Sequence, residues 1–316
     1  MFAFIRRHGA EFRRSFPEVV ALSAGKRLRG GAVKSRSGLV LVAGVARKLE
    51  APKRFLPTHV ALQSSKRETL LIPVDVVAKS RGRLLSAAAV YAKPDTKKHV
   101  NGCVAARVRL GDEVSWLTAA HVANSTATTL RLKASTTCGP RPYGESARVI
   151  GRSSATGWSW PLRDAARPFR MDVALVPEDD ASGVDSDWWA SSFDRALASD
   201  EWGTQVRYYL VDQRGDERPL QFVQMQGDGL HEFPVWKGRY EKFPRFAHFK
   251  GSIAAGDSGA PVVRRSGGRR VFVGLAFGSI RIGGVSGPAV WPYEDIKEAF
   301  EAESSLSFRL APLESE

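Results

Sequence analysis

In Gly256-Asp257-Ser258-Gly259-Ala260-Pro261-Val262 a serine stands between residues that favour a turn, and a proline and an apolar residue follow. The glycines on either side permit the chain to curl at the serine. A bend of that kind can set the Ser258 hydroxyl and the backbone amides of Gly256 and Ser258 around one point. Those groups are a nucleophile and two donors for the negative charge that develops on a carbonyl oxygen under attack. Gly256 has no side chain to shield its amide, and Gly259 accepts backbone angles that bulkier residues resist. Gly, Asp and Ser are also ordinary turn residues, so the bend acquires chemical meaning only if a base and an acid serve it.

Both stand upstream. Ser115-Trp116-Leu117-Thr118-Ala119-Ala120-His121-Val122 closes an apolar run with a histidine beside small residues, where an imidazole at a strand end can reach a cleft. Arg170-Met171-Asp172-Val173-Ala174-Leu175-Val176 places an aspartate at the head of another strand-like run. A buried carboxylate there can hold an imidazole by its Nδ1–H. Asp164 is the rival acid, but Arg167 and Pro168 interrupt its segment. His121, Asp172 and Ser258 are too far apart along the chain for local contact, so they can meet only in a folded cleft.

These motifs resemble those of the chymotrypsin-like serine peptidases, in which Thr-Ala-Ala-His, Asp-x-Ala-Leu and Gly-Asp-Ser-Gly-x-Pro occur in this order. The resemblance spans roughly residues 90 to 302 and implies an all-β fold of two antiparallel six-stranded barrels with a C-terminal helix. It implies Ser258 as nucleophile, His121 as general base and then acid, Asp172 as its orienting acid, and the Gly256 and Ser258 amides as the oxyanion hole. Val273-Gly274-Leu275-Ala276-Phe277-Gly278-Ser279 resembles the family strand that pairs with the substrate backbone, with Ala276-Phe277-Gly278 in place of the commoner Ser-Trp-Gly. Ser252, six residues before the nucleophile, falls where the family reads the substrate residue before the scissile bond. Ile253 and Ala276 stand near the places of a Thr/His pair that gives viral relatives Glu or Gln preference. An uncharged lining of Ser252, Ile253, Ala276, Phe277 and Gly278 implies preference for an apolar or aromatic residue. In zymogen-forming relatives the acid beside the nucleophile pairs with a newly freed amino terminus. This chain has no Arg-Ile-Val-Gly-Gly site, so Asp257 calls for a Lys, an Arg or other donors within the fold, with a cut near residue 90 that frees a partner as the alternative.

Charge divides the chain in two. Residues 1–100 hold 21 Lys/Arg against 6 Asp/Glu, so the whole formal excess of +14 lies in that third. We therefore expect a basic, partly ordered N-terminal extension over 1–90 and a peptidase domain over 91–316. Phe2, Ile5, Phe12, Phe16 and Val19 recur at roughly helical spacing, with Arg6, Arg7, Arg13 and Arg14 available for another face. A basic helix of this kind can lie on an anionic membrane surface, act as an organelle-targeting segment or bind RNA phosphates. The runs 37–46 and 68–77 read as short strands. The final segment from Pro292 to Phe300, with acids in its first turn and the Ile296/Phe300 pair four apart, reads as a helix.

No uninterrupted apolar stretch is long enough to span a bilayer, and the start lacks an apolar signal-peptide core. Secretion through a signal peptide is not expected, and a cytoplasmic setting is. Cys103 and Cys138 are too few for a disulfide framework, and we expect free thiols, with one bridge between them as the alternative. No metal-binding cluster or phosphate-cradling motif occurs, so no metal or cofactor is expected. The intracellular character resembles polyprotein-cutting peptidases of positive-strand RNA viruses, particularly sobemovirus-like ones, although preceding membrane spans are absent. The expected partner is a polypeptide substrate. The alternative is an RNA-binding or capsid-like protein that carries a basic arm on the same fold.

Overall fold

Runs of β-branched and aromatic residues fit a pleated surface, and paired glycines supply the two positive φ angles of a tight hairpin. The computed structural model describes residues 2–30, 32–34, 38–48, 56–63, 69–84, 103–119, 131–132, 141–142, 171–177, 193, 195–198, 201–203, 206–212, 215–226, 231–234, 240–243 and 245–311. The chain opens with helix α1 (Phe2–Ser15), then β1 (Val19–Gly25), β2 (Leu28–Arg29), β3 (Ala32–Val33), β4 (Val40–Val45), β5 (His59–Gln63), β6 (Thr69–Ala78) and β7 (Gly82–Leu84). Next come β8 (Val104–Leu110), β9 (Glu113–Thr118), β10 (Arg131–Leu132), β11 (Arg141–Pro142) and β12 (Ala174–Pro177). The last part holds β13 (Tyr208–Val211), β14 (Glu217–Gln226), β15 (Glu232–Pro234), β16 (Tyr240–Lys242), β17 (Phe246–Lys250), β18 (Pro261–Ser266), β19 (Arg269–Ile282), β20 (Val285–Pro292), α2 (Tyr293–Ser304) and β21 (Phe308–Leu310).

β13, β18, β19, β20, β17 and β14 pair in that order, and β14 pairs back with β13 to close a six-stranded antiparallel barrel. Gly267-Gly268 and Gly283-Gly284 make its two tightest hairpins, all four residues at positive φ. Ahead of this barrel, β8, β9 and β12 form a four-stranded antiparallel sheet with the late strand β21, in the order β12-β9-β8-β21. The fold is thus all-β and chymotrypsin-like, with the expected helix near its C-terminal end. Ile296 and Phe300 are both buried, as their spacing requires. After α2 the chain returns to the first sheet, where Phe308–Leu310 pairs with β8. Sequence reasoning stopped at the helix and did not find this strand.

The N-terminal residues join the same architecture. β1 adds to β14 through Ala24↔Met225 and Gly25↔Gln224, and β4, β6 and β5 extend the sheet outward. β4 and β6 run parallel. Phe12 of α1 is buried with Val19, Leu22, Leu41, Ala43 and Val74, while Phe4, Ile5 and Phe16 pack against that cluster. The apolar face of α1 is therefore spent on the sheet, and Arg7 and Arg14 are exposed. Among the described side chains of α1, Phe4, Ile5, Phe12 and Phe16 are thus engaged with the protein's own sheet. The expected domain boundary near residue 90 lies outside the described residues.

Two histidines are enclosed where β7 meets the barrel. His248 is wholly buried on β17 opposite Gln224, and His231 takes Ser80 through its Nδ1 at 2.9 Å. Burial disfavours the imidazolium and holds His231 down to about 4, with Lys79 adding repulsion, and holds His248 down to about 3. In the unfolded chain both titrate near 6.5. Between those values the unfolded chain binds protons that the folded chain refuses. The stability these groups confer is thus complete above about pH 6.5 and is lost as pH falls toward 4 and then 3. Each should contribute a slope of about 1.4 kcal/mol per pH unit across its window. Denaturant titrations at pH 7, 5 and 4 check this. His248→Leu should visibly flatten the acid side, and an unchanged slope would contradict the assignment.

Candidate active site

The Ser258 turn connects β17 to β18 and lies against the other sheet. Gly256 and Gly259 have φ of 96° and 85°, the two left-handed positions that let the chain double back within five residues. Gly259 donates its N–H to the Ala276 carbonyl at 2.7 Å, and Ala276 donates to Ala260 at 2.8 Å. The turn is so laced to β19. On its opposite side the Cys103 amide donates to the Ser258 carbonyl at 2.6 Å, and the Cys103 Sγ donates to the Gly256 carbonyl at 3.3 Å. Cys103 is a free thiol, and burial first, then Asp257 and Asp212, push its pKa up. It behaves as a packing group and not as a nucleophile.

Thr118 extends the connection. Its Oγ1 donates to the Cys103 carbonyl at 2.6 Å, and Thr118 is the last residue of β9, three positions before His121. Across the ladder Thr118 pairs with Ala174, two positions after Asp172, which is wholly buried. The residue before β8 and the end of β9 therefore meet at the Ser258 turn, and the start of β12 is the ladder neighbour of that end of β9. Ser258 is itself buried. His121 lies outside the described residues, as do Asp164 and Cys138.

The remaining candidate positions are distributed around the turn. Ser252 is exposed, and Ile253 is half-buried against the core of the second barrel. Ala276 is buried and occupied by backbone bonds to the turn. Phe277 is also buried, its ring stacked 4.6 Å from that of Trp291 and edge-on to Phe243. The Phe277 side chain thus belongs to the aromatic core. Gly278 is a strand residue paired with Ala289 on one side and Leu84 on the other.

Sequence reasoning called for a Lys, an Arg or other hydrogen-bond donors within the fold at Asp257, without naming them. The structure supplies Arg218 of β14. Its Nη2 donates to Asp257 Oδ1 at 2.5 Å, while the Ala254 amide donates to Oδ2 at 2.6 Å. Asp212 lies 3.8 Å from Arg218 Nε. Nothing in the sequence distinguishes Arg218 from the other 46 Lys/Arg, because the pairing arises from barrel closure. Among the described residues no group of three His, Cys, Asp or Glu could hold a metal ion. No helix among them is long and apolar enough to cross a membrane.

No protein-family model matches the chain, and no curated protein is significantly similar to it. Among solved structures the chain is similar to the inactive form of Rv3671c from M. tuberculosis H37Rv carrying a serine-to-alanine substitution. That match has 14% identity and a TM-score of 0.36, covering 63% of this chain and 85% of the other. A second structure, the Rv3671c protease in its inactive form, matches at 16% identity and a TM-score of 0.33, covering 63% and 87%.

Proposed function

We propose that this chain is a serine endopeptidase that cleaves peptide bonds through Ser258, His121 and Asp172. The observation that carries the reading is the hydrogen-bonded path from the Ser258 carbonyl through Cys103 to Thr118, whose ladder partner Ala174 follows Asp172. It ties the nucleophile turn to both segments that bear the other two groups.

In the proposed mechanism His121 removes the Ser258 Oγ proton as the oxygen attacks the substrate carbonyl. The Gly256 and Ser258 amides receive the oxyanion. His121 then gives the proton to the departing amine as the acyl-enzyme forms, and a water deprotonated by His121 releases the acid product. Asp172 fixes the tautomer and balances the imidazolium charge. Arg218 keeps Asp257, and with it the Gly256–Ser258 peptide units, in place without a freed amino terminus. The catalytic groups are then set as soon as the chain folds. The uncharged side chains of Ser252 and Ile253 favour an apolar or aromatic residue before the scissile bond. Cleavage of a peptide library dominated by acidic or basic residues at that position would refute this preference.

A fluorophosphonate tests the central assignment, because Ser258 Oγ displaces fluoride and stays bonded to phosphorus. The wild-type chain should label stoichiometrically. Ser258→Ala should not label, and His121→Ala should slow labelling at least 1,000-fold, in line with loss of one member of a nucleophile–base pair. Equal labelling of all three proteins would remove the assignment.

A further inference from the structure

β19 has two edges. One pairs with β20 along its length from Gly274, and the other pairs with β18 only as far as Leu275, because β18 begins at Pro261 as the chain leaves the Ser258 turn. Beyond that point this second edge continues directly from the nucleophile, and Ala276 is bonded to Gly259 and Ala260. An exposed strand edge is a template for an extended peptide. It is the edge a substrate would use to bring a carbonyl to Ser258.

That edge is filled by the chain itself. β7 pairs antiparallel with it, Leu84 opposite Gly278, Arg83 opposite Ser279 and Gly82 opposite Ile280. The direction matters, because β7 runs with its C-terminal end leading toward Ala276 and the Ser258 turn. The segment is also fastened at its other end. Ser80 donates its amide to His231 Nδ1 at 3.3 Å, Lys79 pairs with Glu232, and Arg81 Nε lies 3.6 Å from Glu232. Gly82 lies so close to Phe233 that a Cβ would overlap the ring. We infer that β7 occupies the substrate's place along Gly278–Ile280, so the enzyme restrains its own action on extended peptides until this strand is displaced. This rests on the peptidase reading and adds Ser279 and Ile280 to the residues that receive the substrate backbone.

The test separates access from chemistry. A small ester or a fluorophosphonate needs Ser258 but not the edge, whereas a peptide of eight or more residues needs both. Arg83→Pro combined with Leu84→Pro removes two of the three amide donors of β7, at least one of them a ladder donor whichever alternate residues bond. It should raise kcat/KM for the long peptide at least tenfold and leave fluorophosphonate labelling within about twofold. A second variant works in the other direction. Arg81→Cys with Glu232→Cys joins bridged positions at the fastened end of the strand, at a separation that suits a disulfide. Its oxidised form should lose long-peptide turnover at least tenfold, keep fluorophosphonate labelling, and recover on reduction. If the locked form cleaves the long peptide as fast as its reduced form, β7 does not bar the edge. If the proline variant labels normally without any gain on peptide, the inference likewise fails. Absence of labelling in the wild type would instead overturn the peptidase reading itself.

Discussion

Arg218→Met should lower kcat/KM by 100-fold or more and destabilise the fold by about 3 to 5 kcal/mol, the cost of leaving a buried carboxylate without its charged partner. Asp257 is only 6% exposed and Arg218 23%, so water cannot replace the guanidinium well. The remaining Ala254 donor answers one oxygen only. An Asp257 side chain that swings toward water would carry its flanking peptide units with it, and those carry the proposed oxyanion donors. Loss of one such donor alone is worth about 100- to 1,000-fold. Peptide hydrolysis measured beside a denaturant midpoint separates the two effects, and Arg218→Lys should restore part of each. Wild-type turnover in the Met variant would mean that the turn holds its shape without the ion pair.

Gly259→Ala should be worse. Its φ of 85° is one that a side chain strains. A methyl group there would fall on the Cys103 carbonyl oxygen and lie 2.6 Å from Thr118 Oγ1. Both neighbours are held in place, the first by Thr118 Oγ1 and the second by the β9–β12 ladder, so neither can retreat without opening the junction between the sheets. We expect a loss of at least about 3 kcal/mol, in the range of severe overpacking combined with backbone strain, and loss of fluorophosphonate labelling. Thermal unfolding and labelling together check it. A stable, fully labelled Gly259→Ala protein would show that the Ser258 turn does not need this close approach.

Much of this was readable before folding because the signals are local. Pro261 after the turn begins β18, Gly267-Gly268 and Gly283-Gly284 fall at the hairpins of the second barrel, and the runs at 37–46 and 68–77 contain β4 and most of β6. The Ile296/Phe300 pair faces the core. What escaped depends on contacts across long sequence distances. Arg218 is one cation among many until β14 closes against β13. Gly82–Leu84 is too short to read as a strand and becomes one only because β19 offers an unpaired edge. Phe277 looked like a cleft residue by motif, yet its ring found a larger apolar surface against Trp291, Phe243 and Phe233. The helical spacing at the start identified α1, but spacing alone cannot say whether an apolar face meets lipid or the protein's own sheet.

The attachment of β1 to β14 has a practical corollary for the basic third of the chain. A shortened protein beginning near residue 90 would lay bare the backbone of Gln224 and Met225, a ready seed for intermolecular pairing. That third is therefore expected to behave as masonry shared with the barrel, and not as a detachable tail.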